Sequence, residues 1–331
     1  MLMPQPQKVT FIYTNSHDAT ADLLVTQIGA DRLFRFNFNM WRDYKIQLSD
    51  TGFEIHNPVG RRVTLDDVAK FYWRKPLSEK QLDVNVSVPA RVNYIEEELW
   101  YMMREVANLL RSLGRLVLVE PYADARCGKV LQSKLASRYF TVPSHKCVFG
   151  SSQWLRPGHR AVVKSLTSTR IDKESVFYTT AVDEGDLDPA VPWMIQELVD
   201  AEKDVTVAVV RDKLFAFELD RSPFIGRTLD WREVATEHVT DNWVVHVLPQ
   251  DVQESIFSLM SDLRLQYGRI DFLLKGGVYS FLEVNPNGEW GWLDAEGEHG
   301  LLDKMVHEIS PDTPTHPVDP LFTTFTKTLP R

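Results

Sequence analysis

The chain has 331 residues, of which 44% are hydrophobic and 25% charged, with a formal charge of −9 and a pI near 5.5. This is the balance of a soluble globular protein with room for two or three subdomains, and it excludes a general nucleic-acid surface. Cys127 and Cys147 are the only cysteines and neither belongs to a CxxC pair, which argues against a disulfide framework or structural zinc and for a reducing, cytoplasmic setting.

In chain order, "MLMPQPQK" lacks the apolar core of a signal peptide, and no later run is long enough to span a bilayer. "KVTFIYT" from Lys8 predicts a buried strand, and "DATADLLVTQIGA" a helix stopped by glycine. "RLFRFNF", "YKIQL", "GFEIHN" and "KFYWRKP" predict strands, the second and third joined by a Ser49-Asp50-Thr51-Gly52 turn. Tyr94 to Leu113 predicts a helix with Ile95, Leu99, Met102, Met103, Val106, Leu109 and Leu110 on one face; Asn93 and Glu96 read as its capping pair and Gly114 as its stop.

A second unit begins near Ala125. "GKVLQSKLASRYF" predicts an amphipathic helix; "TVPSHKCVF", "RAVVKSL", "SVFYTTAV" and "WMIQELV" predict strands. "VTVAVVRDKLFAFEL" predicts two strands around Arg211-Asp212-Lys213, and a helix follows from Gln250 to Leu265. The proline-bearing tail from Pro311 predicts an extended end.

"GRIDFLLKGGVYSFLEVNPNGEWGWLD", from Gly268, places Asp271, Glu283 and Asn285 in two otherwise apolar strands. Glu283 and Asn285, two apart, share a face. A two-residue Gly276-Gly277 turn would pair Asp271 with Leu282 and turn the acid away. A three-residue Lys275-Gly276-Gly277 loop would pair it with Phe281 and bring all three oxygens together, so convergence predicts the longer loop. Two carboxylates and an amide carbonyl are hard donors suited to Mg²⁺, which completes its shell with water and substrate phosphates. The competing reading is a half-exposed sheet with solvated acids and a plain "NPNG" turn. No GxxxxGK[ST] or GxGxxG occurs, so phosphates would have to be held otherwise, with Lys129 and Lys164 as candidate cations.

The ordered set of segments resembles the ATP-grasp ligases. "GKVLQSKLASRYFTVP" is similar to the segment with a first phosphate-binding lysine, Lys129, and "VVKSL" to the strand with a second, Lys164. "IQELV" resembles the adenine hinge, which implies Gln196, Glu197, Leu198 and Val199 around the base, with Met194 and Val163 in apolar contact. "EKDVTVAVV" implies Asp204 as acceptor of the ribose hydroxyls, and Asp271, Glu283 and Asn285 match the metal-ligand trio. Within that family "FLEVNPNGEWGWLD", "LDWRE", "FYWRKP" and "VFYTT" resemble the microviridin-type peptide ligases, the graspetide synthetases. Trp290 and Trp292 have packing as their alternative role, and Asp230-Trp231-Arg232 has a surface ion pair beside a packed Trp. The chain departs from the family in the glycine-free "TSTRIDKE", where Thr167, Ser168 and Thr169 would substitute for a glycine lid, in Thr206 where an Arg is common, and in "ADARCGK", which lacks an Asn-Lys pair.

The resemblance implies an α+β ATP-grasp fold with the nucleotide between two subdomains: an N-terminal α/β domain over 1–124, a central lid subdomain over 125–197, a C-terminal metal-bearing subdomain over 198–312 and a tail over 313–331. It implies ATP and Mg²⁺ as cofactors and activation of a peptide Asp or Glu as an acyl phosphate, with Ser, Thr or Lys of the same peptide closing an ester or amide. Arg232 is the implied acyl-phosphate clamp, with Asp230 orienting it or taking a proton. The implied partners are a precursor peptide with a leader segment and a second copy of the chain, with no nucleic acid or membrane. The alternatives are a RimK-type ligase joining a free amino acid or amine to a carboxylate, and a non-catalytic ATP-binding module. His145, His238, His246 and His299 sit at no motif position and read as structural.

Overall fold

The computed structural model describes residues 8–75, 89–150, 160–166, 179–183, 187–224 and 242–314, with residues 89–93 described by their backbone alone. It divides into two compact units, Met1–Ala123 with Glu289–Arg331, and Asp124–Gly288.

The first unit opens with β1 (Val9–Thr14), all six residues buried, α1 (Ala19–Ile28) and β2 (Leu33–Asn37). Asp18 accepts a hydrogen bond from the Ala21 amide to start α1, and Gly29, at φ +98°, returns its own amide to Val25 to end it. β3 (Lys45–Ser49), β4 (Gly52–His56) and β5 (Arg62–Thr64) form an antiparallel meander. β6 (Val68–Trp73) joins β1 and β2 in a parallel sheet of order β2-β1-β6, whose buried strands carry apolar residues on both faces. Phe11, Phe34, Phe36, Phe38, Phe71 and Trp73 fill its core.

α2 (Pro89–Ser112) starts five residues before the predicted Tyr94, because proline suits the first turn of a helix, where its missing N–H goes unneeded. Asn93 and Glu96 therefore lie inside the helix and not at its start. A further helix, α6 (Leu301–Ile309), closes this unit and was not predicted, although Leu301, Leu302, Met305 and Ile309 are all buried. Lys70 of β6, fully buried, donates to the Glu308 carbonyl at 2.7 Å.

In the second unit, α3 (Ala123–Arg126) leads from the first unit into α4 (Lys129–Ala136). β7 (His145–Val148), β8 (Ala161–Lys164), β9 (Thr180–Val182) and β10 (Trp193–Glu197) make an antiparallel sheet of order β7-β10-β8-β9. β11 (Lys203–Val210), β12 (Lys213–Asp220), β13 (Val244–Val245), α5 (Gln250–Leu263), β14 (Tyr267–Lys275) and β15 (Val278–Asn285) follow, with the strands ordered β13-β12-β11-β14-β15. Ile256, Leu259, Met260 and Leu263 fall at helical spacing on α5 and pack in one cluster with Val205, Val207, Ile270, Phe272 and Phe281 of the sheet. The alternate residues of β11 and β14 are thereby committed to the other face. Among the described residues no helix is long and apolar enough to cross a membrane.

Candidate functional site

The β14–β15 hairpin contradicts the loop predicted for it and still brings the acids together. Lys275 pairs with Val278, so the turn is the two-residue Gly276-Gly277, at φ +54° and +81°. Two successive positive φ values are what a tight hairpin turn needs, and glycine supplies them without steric cost. Regular pairing would set Asp271 against Leu282. Instead Phe272 opposes Phe281, Asp271 opposes Glu283, and Leu282 is the extra residue of a β-bulge. The bulge shifts the alternation of β15: Tyr279 and Phe281 join the core cluster, and the next core residue is Val284. Glu283 and Asn285 are left on the face that carries Asp271.

On that face Asp271 receives hydrogen bonds from Thr206 Oγ1 at 2.8 Å, Arg269 Nη2 at 3.2 Å and Asn285 Nδ2 at 3.1 Å. Asn285 Nδ2 also reaches Glu283 Oε1 at 3.2 Å. Lys129, the first residue of α4, places Nζ 3.0 Å from Glu283 Oε2 and donates to the Ser165 carbonyl at 2.9 Å, next to Lys164 at the end of β8. Burial raises the Glu283 pKa, but the charges of Lys129 and Lys164 and hydrogen bonds from Lys129 and Asn285 outweigh it and hold the carboxyl at about 2. Burial alone would lower the Arg269 pKa; the Asp271 carboxylate more than offsets this and raises it.

The residues present fit a hard divalent cation. Two carboxyl groups share one amide, and turning that amide plane by about 180° would present Oδ1 where Nδ2 now lies, giving three oxygen donors. Asp271, Glu283 and Asn285 are the residues that could hold such an ion, with Lys129 and Lys164 beside them for phosphate oxygens.

The strand is held from outside by Gln132 of α4. Its Nε2 donates to the Val284 carbonyl and its Oε1 accepts from the Val284 amide, both at 2.8 Å, between the two ligand residues. Gln132 is 3% exposed. Replacing it by Leu strands a buried N–H and a buried C=O, so denaturant unfolding of Gln132→Leu should show a loss of about 2–4 kcal/mol.

Glu283 also sets a pH dependence. Its folded pKa lies below the unfolded value of about 4.3, so the stability it contributes is complete above that value and lost as pH falls toward 2. Stability measured from pH 5 to pH 2 should fall by up to about 3 kcal/mol more in the native protein than in Glu283→Gln.

The hinge residues continue from β10. Gln196 is 2% exposed and its Nε2 makes no hydrogen bond. The Glu197 amide donates to the Ser144 carbonyl at 2.8 Å and the Leu198 amide to the Arg160 carbonyl at 3.1 Å, so an adenine edge would meet the carbonyls and the Val199 amide. Met194 and Val163 are buried nearby in neighbouring strands. Asp204 lies two residues before Thr206 on the same face and pairs with Arg221 Nη1 at 2.7 Å. A ribose hydroxyl would share Asp204 with that guanidinium. Asp230, Arg232, Thr167, Ser168, Thr169 and His238 lie outside the described residues.

Arg269, Thr206 and Gln132 were not assigned to the site from sequence. Arg269 stands two residues before Asp271, and the same-face rule that joined Glu283 to Asn285 would have found it. In the first unit, Arg74 of "FYWRKP" is fully buried, with Nε 3.2 Å from Asp18 Oδ2 and a hydrogen bond to Glu289, while Trp290 is fully buried, as its alternative packing reading has it. His246 bridges Glu218 and Tyr279 Oη, the latter at 2.6 Å, on the core side of the second unit's sheet.

No protein-family model and no curated protein sequence matches the chain. Solved structures do. A RiPP-associated ATP-grasp ligase from Chryseobacterium gregarium, in complex with ADP and a leader and core peptide, is 21% identical at a TM-score of 0.74, over 95% of this chain and 100% of its own. The macrocyclase MdnC from Microcystis aeruginosa, bound with precursor peptide MdnA, is 21% identical at a TM-score of 0.74, over 91% and 99%. D-alanine–D-alanine ligase from Bacillus anthracis is 13% identical at 0.52, over 91% and 97%. At such identities the likeness shows architecture: the chain has the α+β ATP-grasp fold.

Proposed function

We propose that the protein is an ATP-dependent ligase that activates Asp or Glu side chains of a ribosomally made precursor peptide and closes them onto Ser, Thr or Lys side chains of the same peptide. The observation that carries this reading is the convergence of Asp271, Glu283 and Asn285 on one sheet face, with Lys129 on Glu283 and Lys164 close enough to depress its pKa. The peptide part is supported by the similar structures, whose bound molecules include leader, core and precursor peptides. The ATP-grasp ligase PsnB complexed with a phosphomimetic variant of its minimal precursor, Mg and ADP, 15% identical, extends that support to the metal.

Condensation of a carboxylate with an alcohol or amine needs a better leaving group than oxide. Attack of a peptide carboxylate oxygen on the γ-phosphorus breaks the bond to the β-bridging oxygen, releases ADP and leaves an acyl phosphate. Attack by a hydroxyl or amine then expels phosphate, with the nucleophile's proton taken up by a nearby base. Asp271, Glu283 and Asn285 would hold a divalent ion, which would supply Lewis acidity toward the phosphate oxygens. Lys129 and Lys164 neutralise charge on those oxygens, Gln196 to Val199 and Asp204 orient base and ribose, and Arg269 and Thr206 fix the Asp271 carboxylate. Arg232 and Asp230 remain the assigned acyl-phosphate clamp and its partner. The subdomains over 125–197 and 198–312, a cytoplasmic location, a homodimer and recognition of a leader belong to the same reading.

The test is incubation with ATP, Mg²⁺ and the small peptide encoded beside the gene, followed by mass spectrometry. Loss of water from the peptide, matched to ADP formed, is expected. Unchanged peptide mass with ATP consumption driven by free amino acids would establish the RimK-type alternative, and no ATP consumption with either would leave the binding module.

A further inference from the structure

The first unit carries a cavity lined by charged and aromatic side chains of α2. Because the helix begins at Pro89, Glu96 lies well inside it and is relieved of a capping role. Glu96 is 8% exposed and its Oε2 makes no hydrogen bond. A buried carboxylate oxygen without a donor is costly and asks for a cation.

Glu96 lines an open cavity of about 340 Å³ together with Glu97, Trp100, Tyr101 and Arg104. These positions recur at one-turn and two-turn spacing and so share one side of the helix. Arg104 forms no ion pair with either glutamate among the described residues; its guanidinium carbon lies 5.7 Å from the Trp100 ring and 5.1 Å from those of Tyr101 and Tyr122. The charge of Arg104 is thus met by ring faces, and it braces the aromatic wall. Tyr13, fully buried with its ring 6.2 Å from Trp100, also has a hydroxyl without a partner. Two carboxylates, one cation and aromatic walls leave a net negative cavity with apolar sides.

We propose that this cavity binds an organic cation, a primary ammonium or guanidinium on a short alkyl stem, with Glu96 as principal acceptor, Glu97 as the outer carboxylate and Trp100 and Tyr101 along the stem. Ring faces and carboxylates together select such a group over a metal ion, which would want more oxygen donors. The shared chemistry is that of a Lys or Arg side chain on a peptide and of a free alkylamine. The site stands on the first unit alone and is independent of the phosphate chemistry.

Saturation-transfer NMR on the full chain tests it with Nα-acetyl-lysine methylamide, Nα-acetyl-arginine methylamide and n-butylamine, against neutral Nα-acetyl-norleucine methylamide. The cations should bind and the norleucine derivative should not. Glu96→Gln should weaken the cations about tenfold or more, since a charge-assisted hydrogen bond is lost, and Tyr101→Ala should weaken them several-fold. Glu96→Gln should melt no lower than the native protein, because it removes an unpartnered buried charge; a merely structural glutamate would lower the melting point and leave binding unmoved. Binding by all three cations supports the site with a free amine sufficient; binding by the two amino-acid derivatives alone supports it with a peptide-borne cation. Equal binding of the norleucine derivative, binding unchanged in Glu96→Gln, or no transfer to any cation would overturn it.

Discussion

Glu283→Gln and Asp271→Asn are each expected to lower ATP-dependent turnover by about 10³-fold, the scale of several kcal/mol that a positioned metal contributes to phosphoryl transfer. Both substitutions keep side-chain shape and remove one charge from a face where the two acids oppose each other across the hairpin. Glu283→Gln also leaves the Lys129 ammonium beside a neutral amide. The same variants should weaken Mn²⁺ binding measured by electron paramagnetic resonance in the presence of ADP. Far-UV circular dichroism distinguishes this from unfolding. Native-like turnover in a folded Glu283→Gln protein would remove that residue from the site.

Lys164→Met and Lys129→Met should each cost about 10²–10³-fold in kcat/KM for ATP, because each removes a fixed cation from the place where phosphate charge gathers. The two lysines should differ in a second respect. Lys129 contacts Glu283 directly and its charge is the strongest influence holding the pKa down, so its removal raises the folded pKa toward the ordinary carboxylate range. The acid-induced loss of stability still begins near the unfolded value, but it ends at higher pH and is smaller in total. Lys164→Met should move that limb in the same direction by less, since its charge holds the carboxyl down less than the charge of Lys129 does. Nucleotide affinity, followed by calorimetry with ADP and Mg²⁺, should weaken in both. Wild-type affinity and an unmoved acid limb in Lys129→Met would contradict its placement.

Much of the fold and site was legible because strand and helix periods differ and because acids in apolar strands are conspicuous. The hairpin shows where reading stopped. Convergence of Asp271 and Glu283 was expected from a longer loop, whereas the chain uses the tighter glycine turn and inserts Leu282 as a bulge. An apolar bulge residue in an apolar strand leaves no mark in composition. The start of α2 was missed because Pro89 was not weighed as a first-turn residue, and that error concealed the unpartnered Glu96. α6 followed the polar run "DAEGEHG", which drew attention from the apolar spacing after it. Arg269 was overlooked although β-strand alternation places it with Asp271. Gln132 could not be found from sequence, because an amide that grips the backbone of a strand 152 residues away has no local signature.

The most direct measurement follows oxygen. With precursor peptide whose Asp and Glu side chains carry ¹⁸O, activation through an acyl phosphate transfers one carboxylate oxygen to phosphate for each link closed. Mass analysis of the released phosphate should show that label rising in step with dehydrated peptide, and Glu283→Gln should suppress both. Linked peptide formed while the phosphate stays unlabelled would contradict the account.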